Sequence, residues 1–80
     1  MKTTEYFGYT RNRANRQYIK EEWIQHVIDN PETEVTQSDG RIKKWAYIAE
    51  AGKYLRVILL EDRETVHNAF FDRSHKKNKL

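Results

Sequence analysis

Apolar residues between Ile19 and Ile28 recur at helical spacing. Ile19, Trp23, Ile24, Val27 and Ile28 make one stripe, with Lys20, Glu21, Glu22 and Gln25 on the other side. The pattern predicts a helix over Tyr18–Asp29, stopped by Asn30-Pro31 because a residue before proline avoids the helical region. An earlier helix is expected from a cap at Thr3 or Thr4 to about Ala14, with Tyr6, Phe7 and Thr10 inward and Gly8 weakening it. After Pro31 the period changes to two. Glu34–Gln37, Arg41–Ala49, Tyr54–Glu61 and Glu64–Phe71 read as strands, with turns at Ser38-Asp39-Gly40, Glu50–Lys53 and Asp62-Arg63.

The order predicts an α+β fold in which two N-terminal helices pack on one face of a curved four-stranded antiparallel sheet. The turns set the register. They pair Tyr47 with Arg56, Ile58 with His67 and Arg56 with Ala69. One face then collects Ile42, Ala46, Ile48, Leu55, Val57, Leu59, Val66 and Phe70 as a core for the helices. The other carries Lys43, Trp45, Tyr47, Arg56, Ile58, Leu60, His67 and Phe71. Asn68 falls on the core face and needs a partner there; a slip or bulge would exchange it with His67.

Eighty residues make one domain, with its core over about 4–72 and a basic tail over 73–80. A deep site for a large organic cofactor is not expected at this size. Cysteine is absent, which excludes a disulfide framework and thiolate metal ligation. No apolar run approaches a membrane span, and the N-terminus has no apolar leader, so a soluble cytoplasmic protein is expected.

The formal net charge of +3 is unevenly spread. Arg11, Arg13 and Arg16 cluster near one end and Arg73, Lys76, Lys77 and Lys79 at the other, around an acidic stretch from Glu21 to Glu34. Basic ends suit a polyanionic partner, although for so small an imbalance a solvated surface and a frayed tail are the more ordinary explanation. Arg41 opens the second strand, and Trp45, Tyr6 or Tyr9 could stack on bases.

A phenol, a guanidinium and an imidazole on one sheet face are what RNA cleavage without a metal requires. A base must take the 2′-hydroxyl proton, an acid must protonate the leaving oxygen, and cations must meet the growing phosphorane charge. His67 suits either proton role, Arg56 and Lys43 (or Lys44) the phosphate, and Tyr47 the orientation of a base. Each also has an ordinary reading: a hydrogen-bonded strand histidine, a cross-strand ion pair, an amphipathic strand tyrosine. The three histidines lack metal-ligand spacing, so neither metal nor cofactor is expected.

The segments over residues 19–48 and 54–73 resemble small bacterial proteins related to the RelE, ParE and BrnT-like toxins. The likeness rests on the helix ending in Asn30-Pro31, the Asp39-Gly40-Arg41 turn, the Tyr54–Ile58 strand and Thr65-Val66-His67-Asn68. It implies two helices on a curved antiparallel sheet whose cleft binds RNA, ribosome-bound mRNA included, and a small antitoxin that covers the cleft. Metal-independent mRNA cleavage is typical of the RelE branch, and gyrase is the target of the ParE branch. Arg56 and His67 match the places of phosphate-binding and proton-transfer residues, and Lys43 or Lys44 matches more loosely. This chain lacks the long basic C-terminal helix of such toxins. The alternative is a non-catalytic protein- or nucleic-acid-binding module, monomeric or dimeric, of the same fold.

Overall fold

The computed structural model describes residues 1–11 and 19–75, without the side chains of Thr10 and Arg11. Helix α1 spans Glu5–Arg11 and α2 spans Glu21–Asp29. Strands β1 (Thr33–Thr36), β2 (Ile42–Ile48), β3 (Lys53–Leu59) and β4 (Val66–Phe71) form one antiparallel sheet in the order β1-β2-β3-β4. The expected α+β architecture is present. No helix among the described residues is long and apolar enough to cross a membrane.

Local chemistry explains the element ends. Thr4 caps α1, its hydroxyl accepting the Phe7 N–H at 3.1 Å. Glu21 and Glu22 sit in the first turn of α2, where the helix dipole favours them. At the other end Lys44 Nζ donates to the Ile28 carbonyl at 2.9 Å, one of the carbonyls a helix end leaves unpaired. Gly40 and Gly52 take positive φ (91° and 68°) in the hairpin turns. A Cβ on Gly40 would come within 2.7 Å of the Glu61 side chain.

The core lies between the helices and one sheet face. Phe7, Ile19, Ile24 and Val27 meet Ile42, Ala46, Ile48, Leu55, Val57, Leu59, Val66 and Ala69, all buried. Along β3 burial alternates strictly, with Leu55, Val57 and Leu59 inward and Tyr54, Arg56 and Ile58 half-buried on the outer face.

The registers of the β2–β3 and β3–β4 hairpins differ from expectation. In the first, the loop is Ala49–Gly52, because the left-handed Gly52 closes it, so Ile48 pairs with Lys53, Tyr47 with Tyr54 and Trp45 with Arg56. A two-residue shift preserves the faces and changes the neighbours. In the second, the loop runs from Leu60 to Thr65, and its turn is held by the Asp62 carboxylate, which accepts the Glu64 and Thr65 backbone N–H groups and the Thr65 hydroxyl. Those bonds hold the Asp62 carboxyl down at about 2.

A bulge follows: Leu59 pairs with Val66 but Ile58 with Asn68, leaving His67 as the extra residue. Beyond it the faces invert relative to expectation. Ala69 takes the core position, Phe70 lies opposite Arg56 on the outer face, and Phe71 turns to the helix side, edge-on to Trp23 at 6.1 Å. Asn68, expected in the core, shares a row with Ile58 and Lys43 instead. This is the bulge that a polar Asn68 on the core face leaves open; pattern does not decide it because a bulge changes parity without changing composition.

The N-terminus adds an element the pattern did not show. Lys2 and Thr4 exchange backbone hydrogen bonds with Val66 at 2.8 and 3.0 Å, and Thr3 bridges Val66 in parallel. Residues 2–4 thus line the outer edge of β4.

Candidate functional site

The outer sheet face is partly covered by the chain that leaves β4. The Asp72 backbone N–H donates to the Tyr54 carbonyl at 3.0 Å, which brings the Asp72 side chain over the sheet. Its Oδ2 accepts the Trp45 Nε1–H at 3.0 Å, the Arg56 Nε–H at 3.0 Å and a second bond from Arg56 Nη2. Its Oδ1 accepts the backbone N–H and hydroxyl of Ser74 at 3.0 and 2.6 Å. Burial alone would raise this carboxyl, but the bonds from Ser74, Trp45 and Arg56 outweigh it and hold it well below the ordinary carboxylate range. The Arg56 guanidinium lies over the rings of Trp45 and Phe70, 5.2 and 4.9 Å from their centroids.

The turn at Asp72–Ser74 delivers His75 onto Trp45. The rings stack 4.9 Å apart at an interplanar angle of 12°, and Tyr54 meets the imidazole edge-on, also at 4.9 Å. Tyr47 stands edge-on to Tyr54 at 5.3 Å and is 46% exposed. The Tyr54 hydroxyl donates to Glu32 at 3.3 Å; partial burial and the neighbouring Glu32 charge both raise its pKa. A cleft of about 230 Å³ opens here, with Tyr47, Lys53, Tyr54, Asp72, Arg73 and His75 in its wall.

The sequence-derived cluster is therefore divided. Arg56 stands with Trp45, Phe70 and Asp72, Tyr47 stands two residues further along β2, and His67 lies in the bulge at the far edge. Val66 and Ala69, three apart, are both buried, so His67 and Asn68 between them point away from the core. The Thr4 hydroxyl lies 3.1 Å from His67 Nδ1, and Tyr6 stacks on the imidazole at 4.8 Å. Tyr6, expected inward, is 49% exposed and lies against this imidazole, outside the core.

Trp45, expected as an open stacking surface, is only 7% exposed beneath His75. Lys43 is half-buried on the outer face beside Ile58, whereas Lys44 turns to the helix side between Ile28 and Glu34. Arg41 lies 3.8 Å from Asp39 and Arg73 is exposed. Arg13, Arg16, Lys76 and Lys77, and the side chain of Arg11, lie outside the described residues.

Sequence reasoning missed Asp72 and His75 as members of this site. Sequence pattern leaves Asp72 open between a surface ion pair with Arg73 and the rim of the cleft, and places His75 in the basic tail over 73–80. Among the described residues no three His, Asp or Glu side chains gather as a metal site.

Burial, and then the Arg41 charge, lower the pKa of His67. A histidine whose neutral form the fold favours contributes fully above the unfolded pKa near 6.5, and that contribution is lost as the pH falls below it. The urea midpoint is expected to fall between pH 7.5 and 5.5, and to fall less in His67→Gln. Equal slopes for the two proteins would refute this.

Comparison with protein-family models, with curated proteins and with solved structures finds no match to this chain.

Proposed function

We propose that this protein is a RelE-like toxin that cuts single-stranded RNA without a metal, working in the cytoplasm under the control of a small antitoxin that covers the outer sheet face. The observation that carries the reading is the cleft where His75 stands between Trp45 and Tyr54, beside Tyr47 and Arg73. Two helices on one face of an antiparallel sheet, with the opposite face left for a ligand, are also what the resemblance implies.

In this reading the proton-transfer residue is His75 and no longer His67. The imidazole takes the 2′-hydroxyl proton or returns one to the leaving 5′-oxygen; the 2′-oxygen bonds to phosphorus as the P–O5′ bond breaks. The products are a 2′,3′-cyclic phosphate and a 5′-hydroxyl. Arg73, with the guanidinium edge of Arg56 that Asp72 does not use, meets the charge that develops on the phosphate oxygens. The open ring of Tyr47 stacks on a base.

The test is incubation of the purified full chain with a labelled single-stranded RNA in excess chelator. Scission to cyclic-phosphate ends is expected, with the single-turnover rate reduced on the order of a hundredfold or more in a folded His75→Ala variant. RNA left intact by wild type overturns cleavage; RNA bound but uncut leaves the binding module of the same fold. Growth arrest on induced expression of wild type and not of His75→Ala is the expected cellular counterpart.

A further inference from the structure

We infer that the outer face is a single-stranded RNA track with a second stacking platform at its far end, formed by Tyr6 on His67. The inference rests on the proposed reading of the His75 cleft and extends it to the substrate's length. The outer rows run from Tyr47–Tyr54, through Trp45–Arg56–Phe70, to Lys43–Ile58–Asn68. Continuing the register brings Arg41 opposite Leu60, and both line one depression. Arg41 is near enough to His67 for its charge to act on the imidazole.

From Tyr54 to Leu60 is six residues of strand, about 20 Å. Planar rings stand at both ends of that span: Tyr47, Tyr54 and His75 at one, and the Tyr6–His67 stack, 21° from parallel, at the other. Cations lie between them, with Arg56 (ion-paired with Asp72) in the middle row, Lys43 in the next and Arg41 beyond. Base-stacking rings separated by cations are the pattern that holds single strands without duplex geometry.

The far limit is also built in. Past Arg41 the depression is walled by Asp39, Glu61 and Asp62, which repel phosphate. At the near end Glu32 borders Tyr47 and Tyr54. The occupant is accordingly short, on the order of four nucleotides, the low end of site sizes for small sheet domains. Tyr6 is the residue to question, because it is half exposed and outside the buried core, so its removal leaves the fold standing.

Affinities of wild type, Tyr6→Ala and Tyr6→Phe for a polyuridine ladder of two to eight nucleotides, read by fluorescence anisotropy, decide the matter. Wild-type affinity is expected to rise to about four nucleotides and then level off. Tyr6→Ala loses about tenfold for the longer members and nothing for the dinucleotide, while Tyr6→Phe follows wild type. Equal losses at every length, or none, in a protein that still binds RNA would overturn the second platform and leave the His75 cleft intact. No binding of any member by wild type would overturn the RNA reading itself, and this inference with it.

Discussion

Asp72→Ala is expected to destabilise the protein by about 3 kcal/mol, measured as a drop in the urea midpoint at unchanged slope. Asp72 is the shared acceptor of Trp45, Arg56 and Ser74, and its side chain is 7% exposed. Alanine leaves the indole N–H without an acceptor and a guanidinium against two aromatic faces without its counter-charge. Breaking one side of a buried pair costs more than the pair contributes, because the partner stays desolvated. Arg56, at 22% exposure, recovers some of this through water, which keeps the effect below the largest measured for such pairs. A chain of this size has about 4–12 kcal/mol to lose.

Asp72→Asn keeps one acceptor oxygen and should cost less. The carboxylate form of Asp72 is the one the fold favours, so its contribution is complete above the unfolded pKa near 4 and is lost as the pH falls below it. The acid side of the wild-type stability profile should therefore be steeper than that of Asp72→Asn. An Asp72→Ala midpoint equal to wild type would show that the segment after β4 contributes nothing to the fold.

The second large effect is expected in the core. Leu55→Ala should cost about 3 kcal/mol, within the usual span for a fully buried leucine that leaves a cavity. Leu55 has no exposed surface and sits on β3, whose neighbours β2 and β4 flank it on both sides, so little can collapse into the space. Ile58→Ala, three residues along the same strand but half-buried on the outer face, should cost about 1 kcal/mol. Equal losses at the two positions would contradict the alternation on which the outer face depends.

The alternation of β3, the amphipathic stripe of α2 and its stop at Asn30-Pro31 were legible because each is a periodicity or a steric rule confined to neighbouring residues. The turn glycine Gly40 was legible for the same reason, since a positive φ excludes most other residues. The faces of β2 and β3 followed, because the register error was an even number of residues. The faces of β4 did not: a single inserted residue at His67 inverted Asn68, Phe70 and Phe71, and the polar Asn68 on the expected core face raised a bulge there without deciding it.

The candidate site was legible only in its parts. An outward-facing Arg56, Trp45 and Tyr47 could be read from parity alone. That Asp72 would reach back sixteen residues to Arg56, and that His75 would thereby settle on Trp45, depends on the chain leaving β4 beside Tyr54. The sequence by itself determined the presence and order of the helices and strands, the end of α2 and the faces of β2 and β3, since these arise from contacts within a few residues; the start of α2 at Glu21, with Ile19 and Lys20 before it, was not read. Tertiary structure alone decided which imidazole stands against Trp45 and Tyr54 beside Arg56, because that choice rests on a bulge and a buried ion pair between distant segments.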